Sequence, residues 1–537
     1  MKNSYRIIIT LFLGLLAAGQ NVWAIVDSYH GGGNGSQNNP YIIADEHDWT
    51  LFTNRINNGI EVSKYYKLDC DLTLGSTENP LTTVVGTTGT IPPSNKANER
   101  VDHHPFKGYF DGDGHTITVT MSRSDCFAAL FGIVDAATIC NLTVKGTITS
   151  TQKYIAGIAA YVFNESNAIN NDKATNIINC TSSVAIDCKV NSDGSIGGLV
   201  SQDEKGKLNF ENCIFDGTIT GMANTEKCGG FMNYSGNNGN AVSFKNCIMA
   251  GSINNFTKNT ATMSRGSAVR TYTDVYSCVK YGGNNNENAN ITSASTTCPT
   301  DGLVRKYTVN ATDYYIPVVE ISGLAETSTY DYTSQAITLN PEITTWGNTL
   351  VEGTDYSISY QKKNGESYED VTEIRECGEY RATVAGMGGF AGEKTVEVKV
   401  ITGVTTTVNA QSNEGIYWTT FYHGTVRHEL SEGAQAFTMG NDYKLYRLGT
   451  DGHIIPGNTA VVVISETSTI DFTSTDDDTD ITINGNGNIL QGSDSAVDVT
   501  NLSGTPYILS CVNNVIGFYE YTGTSNIPAH KAYYIIQ

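Results

Sequence analysis

Two decapeptides, FENCIFDGTI at 210–219 and FKNCIMAGSI at 244–253, carry an Asn-Cys pair in the same frame 34 positions apart. A recurring cysteine can be half of a disulfide, a metal ligand, a nucleophile or a packed small hydrophobe. Cys140, Cys180, Cys213, Cys247 and Cys278 fall in related frames, separated by 40, 33, 34 and 31 residues. No C-x-x-C pair occurs anywhere, so the usual zinc spacing is missing. If the repeats stack as parallel strands, their Cβ atoms lie ~4.8 Å apart, wider than the ~3.8 Å a disulfide needs. The pattern therefore predicts a column of buried thiols at Cys140, Cys180, Cys213, Cys247 and Cys278. Asn179, Asn212 and Asn246 would form a side-chain amide ladder beside it at a turn. The chain has twelve cysteines, and those outside the repeat remain open to pairing.

Other side chains could do chemistry. Asp111, Asp113 and His115 in FDGDGHTI could hold calcium or act as acid and base on a glycan, although Asp-Gly pairs are common turn formers and the turn is the preferred reading. The run STDDDTD at 474–480 reads as a solvated acidic loop before a calcium loop. His103 and His104 are adjacent and would point apart on a strand. Lys153, Lys205, Arg265 and Arg270 are basic residues that a lyase could use, but no spacing singles one out. G-x-S-x-G and phosphate-binding glycine loops are both lacking. The expectation is no catalytic residue, no metal site and no cofactor, calcium being the one ion the acidic stretches invite.

The elements that must position these residues read as nearly all β. The chain has 54 Gly and 11 Pro, which suggests many tight turns between short strands. ADEHDWTLFTNRINNG near 44–59 is the main helical pattern. A glycine step recurs before each Asn-Cys element, as in SIGGLVS at 195–201 and KCGGFMN at 227–233. A loose period of this size with strands and no helices predicts a right-handed parallel β-helix, a solenoid, over 25–308. A β-propeller ranks below it, because each repeat shows two or three strand-like runs rather than four. Alternation in YSISYQ and YRATVAG predicts an immunoglobulin-like β-sandwich over 309–401, and further strands predict a second sandwich-like module over 402–537. Residues 1–24 read as a secretory signal peptide: Lys2 and Arg6 precede an apolar stretch, and cleavage is expected at Ala24. No later run is long enough to span a bilayer. A net charge of −22 argues against nucleic acid and anionic membranes as partners.

HPFKGYFDGDGHTITV at 104–119 and LFGIVDAATICNLTVKGTI at 130–148 resemble the secreted repeat proteins that carry GLUG motifs. The likeness covers roughly 30–280. STYDYTSQAITLNP, TLVEGTDYSISY and GEYRATVAGMGGFAG are similar to immunoglobulin-like repeats of bacterial surface proteins. YWTTFYHG and IPAHKAYYI look like a C-terminal β-module common in exported Bacteroidetes proteins, and Asp494-Ser495-Ala496 resembles an O-glycosylation pattern of that group. These resemblances imply a secreted or cell-surface protein (the periplasm stays open) that binds an extracellular glycan or surface protein and is adhesive rather than enzymatic. The rival is a β-helix polysaccharide lyase or glycosidase with accessory β-domains. The 30 Tyr suit contacts with sugars or proteins, but most Tyr in β-domains are half-buried strand residues, so none is singled out.

Overall fold

A computed structural model describes residues 28–87, 104–163, 174–204, 206–236, 241–256, 258–282, 286–333, 335–401, 405–409, 411–477, 481–483 and 487–536. The signal segment with Ala24, and also His103 and Lys205, lie outside the described residues. Among the described residues the protein is all-β, with 53% strand and 4% helix. Among the described residues no helix is long and apolar enough to cross a membrane. Two compact units divide the chain: Met1–Thr297 with Lys306–Ile316, and Cys298–Arg305 with Pro317–Gln537.

In the first unit one repeat runs through the strands Ala174–Ile178, Thr181–Cys188, Asp193–Gly197 and Val200–Asp203, and the next begins with Lys207–Glu211. Each strand pairs in parallel with its counterpart one repeat on. Ala174 lies beside Lys207, Thr181 beside Ile214, Ile196 beside Cys228 and Val200 beside Met232. Among the described residues the result is three parallel sheets of sixteen, five and three strands, none of which closes on itself. The repeat has four strands, more than the two or three legible in sequence, because Asn179 and Cys180 interrupt what reads as one run. Parallel pairing between repeats removes the propeller, whose blades pair their strands antiparallel within each repeat.

Alternation sets the core. Tyr66, Phe110, Ile139, Ile177, Phe210 and Phe244 occupy one inward column in register and are all fully buried. The Phe210 and Phe244 rings stack at 5.2 Å. Burying each such side chain contributes roughly 1.5–3 kcal/mol, so the column stabilises every layer through its neighbours. The double-glycine step owes its residues to close approach rather than to backbone conformation. A Cβ at Gly198 would strike the Gly230 carbonyl oxygen and the Phe215 ring. The helix Glu46–Asn57 starts at Asp45, whose carboxylate accepts from the Asp48 N–H at 2.9 Å. Its buried Trp49, Phe52 and Ile56 share one face. Trp49 and Phe52 pack edge-on or tilted against Phe110, Phe106 and Phe131, so the helix covers the first layers of the core.

The second unit is antiparallel in nearly all its pairing. Phe390–Ile401 pairs with Gly378–Gly386 and also with Leu303–Arg305, so this sheet takes in residues before position 309. A separate sheet joins Val319–Ser322, Glu342–Thr345 and Asn348–Thr349. From Thr405 onwards the described residues form three sheets where a sandwich would have two. The strand Val461–Ser465 explains why: Val461 and Val463 enter one core with Phe421, Ile470 and Phe472, while Val462 enters another with Met439, Ala532 and Tyr534. The unbroken apolar run AVVVIS is the sequence form of a strand covered on both faces.

Candidate functional site

Asn179-Cys180 and Asn212-Cys213 sit at the corner between two consecutive strands of the largest sheet, and Asn246-Cys247 holds the same place within the continuous strand Ala241–Met249. Asn141, Asn179, Asn212 and Asn246 all adopt left-handed backbone, with φ between 52° and 54°. Asparagine tolerates this conformation better than other residues with a side chain. Their side chains form a continuous chain. Asn246 Nδ2 donates to Asn212 Oδ1 at 2.9 Å, Asn212 to Asn179 at 2.8 Å, Asn179 to Asn141 at 2.9 Å, and Asn141 to Asp111 Oδ1 at 2.9 Å. Cys180, Cys213 and Cys247 stand in one buried column beside it.

Cys140 and Cys278 are corrections to the predicted column. The register sets Leu142 beside Cys180, and Cys140 beside Ile178. At the other end Val275 lies beside Cys247, while Cys278 follows Ser277, the neighbour of Met249. The reason is the local order of residues. Here Cys140 precedes its Asn141, and Asp274-Val275 replaces Asn-Cys in the last copy. The asparagine needed at the corner sets the register, and the cysteine follows it. All twelve cysteines are free thiols. Burial raises the pKa of Cys180 and Cys213 well above the usual thiol value, and that of Cys247 to about 12. Protonated, enclosed thiols are inert as nucleophiles.

FDGDGHTI is a turn that begins this ladder. Asp111 Oδ1 also accepts from the Asp113 N–H at 2.9 Å, Asp113 pairs with Lys67 at 2.8 Å, and His115 faces Asp71 at 3.2 Å. The carboxylates are thus engaged with separate partners. Lys153 lies over the Tyr154 ring at 4.8 Å, Arg265 donates to Asn233 at 2.9 Å, and Arg270 donates to Ser264 at 3.3 Å. His104 Nδ1 lies 2.9 Å from the Asn57 carbonyl oxygen. In the acidic run Asp476 accepts from the Cys377 N–H at 3.2 Å, and residues 478–480 lie outside the described residues.

The outward side of the first strand column is a different kind of surface. Tyr65, Tyr109, Thr138, Asn176, Asn209, Ser243 and Thr271 succeed one another in register. The Tyr65 and Tyr109 rings lie 5.6 Å apart. Asn176 donates to Thr138 at 3.3 Å, Asn209 to Asn176 at 2.8 Å and Ser243 to Asn209 at 2.7 Å. This row is uncharged, polar and repeats every ~4.8 Å. Its signal was present in the sequence as the alternate residues of each first strand, but only a register reveals that they line up.

A third group was missed. His423, Asp494 and His530 converge in the second unit, each offering a ligand atom within 4.8 Å of the other two. The sequence marks Asp494 only as part of a glycosylation pattern, and Ser495 is exposed beside it. Separations of 71 and 36 residues give no local signal for such a set.

No family model matches the chain, and no curated protein matches it. Among solved structures, it is similar to a Bacteroides ovatus protein described as a "putative immunoglobulin A1 protease", with 17% identity over 53% of this chain and 85% of that one, at a TM-score of 0.32. It is also similar to tailspike protein gp49 of Acinetobacter baumannii bacteriophage Fri1, a capsular polysaccharide depolymerase, with 11% identity over 84% and 71% of the two chains, at a TM-score of 0.13. Likenesses this slight carry no argument about this chain.

Proposed function

We propose that the protein is exported, to the cell surface or beyond, and that it binds an extracellular glycan or surface protein without catalysing a reaction. In this reading the three parallel sheets wind as a right-handed β-helix of the GLUG kind, and the second unit contributes further β-modules that carry or extend it. The observation that supports binding is the row from Tyr65 to Thr271. Its hydroxyls, amides and two tyrosine rings repeat at one step per layer, which suits a partner that is itself repetitive. Against catalysis stands the state of the acidic motif, where Asp111 and Asp113 are held by Asn141 and Lys67.

The test is a panel of polysaccharides incubated with the mature chain, with and without calcium. Retention on a glycan with no new ends released is expected, and Tyr109→Ala and Asn209→Ala should each weaken it at least about tenfold, the loss of roughly 1.4 kcal/mol of contact. Release of unsaturated or reducing ends would replace this reading with a polysaccharide lyase or glycosidase.

A further inference from the structure

The second unit holds a group of side chains that neither strand nor turn formation requires. His423 follows the strand Ile416–Phe421, Asp494 follows Gln491–Gly492, and His530 precedes Ala532–Ile536. The rings of His423 and His530 lie parallel, 10° apart in plane, with centroids at 5.0 Å. His530 Nδ1 is 3.4 Å from Asp494 Oδ1 and 3.2 Å from the Tyr422 carbonyl oxygen. The backbone fixes the carboxylate: Gly424 N–H donates to Asp494 Oδ1 at 2.8 Å, and a Cβ at Gly424 would run into Oδ2. His423 Nδ1 is buried with no hydrogen-bond partner. A buried polar atom left unsatisfied costs about 1–3 kcal/mol, so an unpaired ring nitrogen calls for a partner.

From this geometry we propose that His423, Asp494 and His530 bind a divalent transition-metal ion, with zinc the natural occupant. Two imidazole nitrogens and one carboxylate oxygen match the ligand preference of zinc and its neighbours, whereas calcium asks for six or more oxygens. Three protein ligands leave a coordination position for water or for a partner's side chain. The outer contacts fit as well, since Gly424 orients the carboxylate and the Tyr422 carbonyl faces the second imidazole.

A second histidine pair marks the contrast. His30 and His47 stack at 4.3 Å near Asp48. There the Asp48 carboxylate already accepts from the backbone N–H groups of His30, Gly31 and Ala44, and His30 Nδ1 lies 2.7 Å from Asp45. That carboxylate is occupied in holding a loop to the helix, and it makes a poor ligand.

Zinc is titrated into the full chain, freed of metal by chelation, in competition with a chromophoric chelator, and cobalt is used in parallel for its visible spectrum. The expected result is one equivalent bound, with a cobalt spectrum of low-symmetry nitrogen and oxygen coordination. Asp494→Asn and His530→Asn should each weaken binding at least about tenfold. Asparagine suits position 530, where φ is 61°, so this variant removes the ring and spares the turn. The His30→Ala/His47→Ala double variant should bind as the parent does. Melting in chelator serves as the folding control. A parent chain that binds no zinc, binding that survives in the Asp494 and His530 variants, or binding lost in the His30/His47 variant would each overturn the assignment.

Discussion

A thiol enclosed by apolar neighbours holds its proton long after one in water has lost it, and this gives the cysteine column a measurable consequence. Burial raises the pKa of Cys180, Cys213 and Cys247 in the folded chain, for Cys247 to about 12. In the unfolded chain each titrates near ~8.5. Their contribution to stability is therefore complete below about pH 8.5 and is lost as pH rises towards the folded value, by about 1.4 kcal/mol per unit for each thiol. Urea unfolding between pH 8 and 10.5 in reductant should show this slope, and Cys247→Ala should lessen it by one thiol's share. Equal slopes in parent and variant would show that the column does not titrate as a buried set. At this scale the sequence was legible wherever a residue type answers one local demand. Asn212 and Cys213 could be read because their copies keep the order Asn-Cys. Cys140 and Cys278 could not, because a repeated cysteine looks alike whether or not it follows the corner asparagine.

The corner between strands is the element on which the first unit turns. Asn212 holds φ at 53° and takes part in two ladder hydrogen bonds, donating to Asn179 and accepting from Asn246. Replacing it with glycine removes the bonds, each worth about 0.5–1.5 kcal/mol, but leaves the conformation easy to adopt. Alanine loses the same bonds and must also enter left-handed space, a further cost of about 1–2 kcal/mol. Asn212→Ala should thus be less stable than Asn212→Gly by chemical denaturation, the reverse of the order found inside a regular strand. An alanine variant as stable as the glycine one would mean that the corner does not depend on left-handed backbone. Strands and the helix Glu46–Asn57 were readable from their period, since that pattern reflects contacts within a few residues. The number of sheets from Thr405 onwards was not. AVVVIS announces burial on both faces, but what covers each face comes from strands up to about 70 residues away.

Charge is a property of the whole chain, and it bears on which partners the row from Tyr65 to Thr271 can accept. Acidic residues number 55 against 33 basic ones, a net charge of −22. Such a chain repels uronate-rich or sulfated polymers over a distance set by screening, ~30 Å at 0.01 M salt and ~8 Å at 0.15 M. The row itself carries no charge, so hydroxyl and amide contacts to a neutral glycan feel little of that field. Retention of neutral glycans should therefore change little between these salt concentrations, while any retention of anionic ones should rise as salt is added. Counting charges in the sequence suffices for this expectation, because long-range repulsion depends on the sum more than on placement. Placement decides the exception: anionic glycans held most tightly at low salt would mean that local lysines, such as Lys67 and Lys245 at the margin of the row, dominate the field of the whole molecule. Affinity measured against both glycan classes across that salt range separates the two cases.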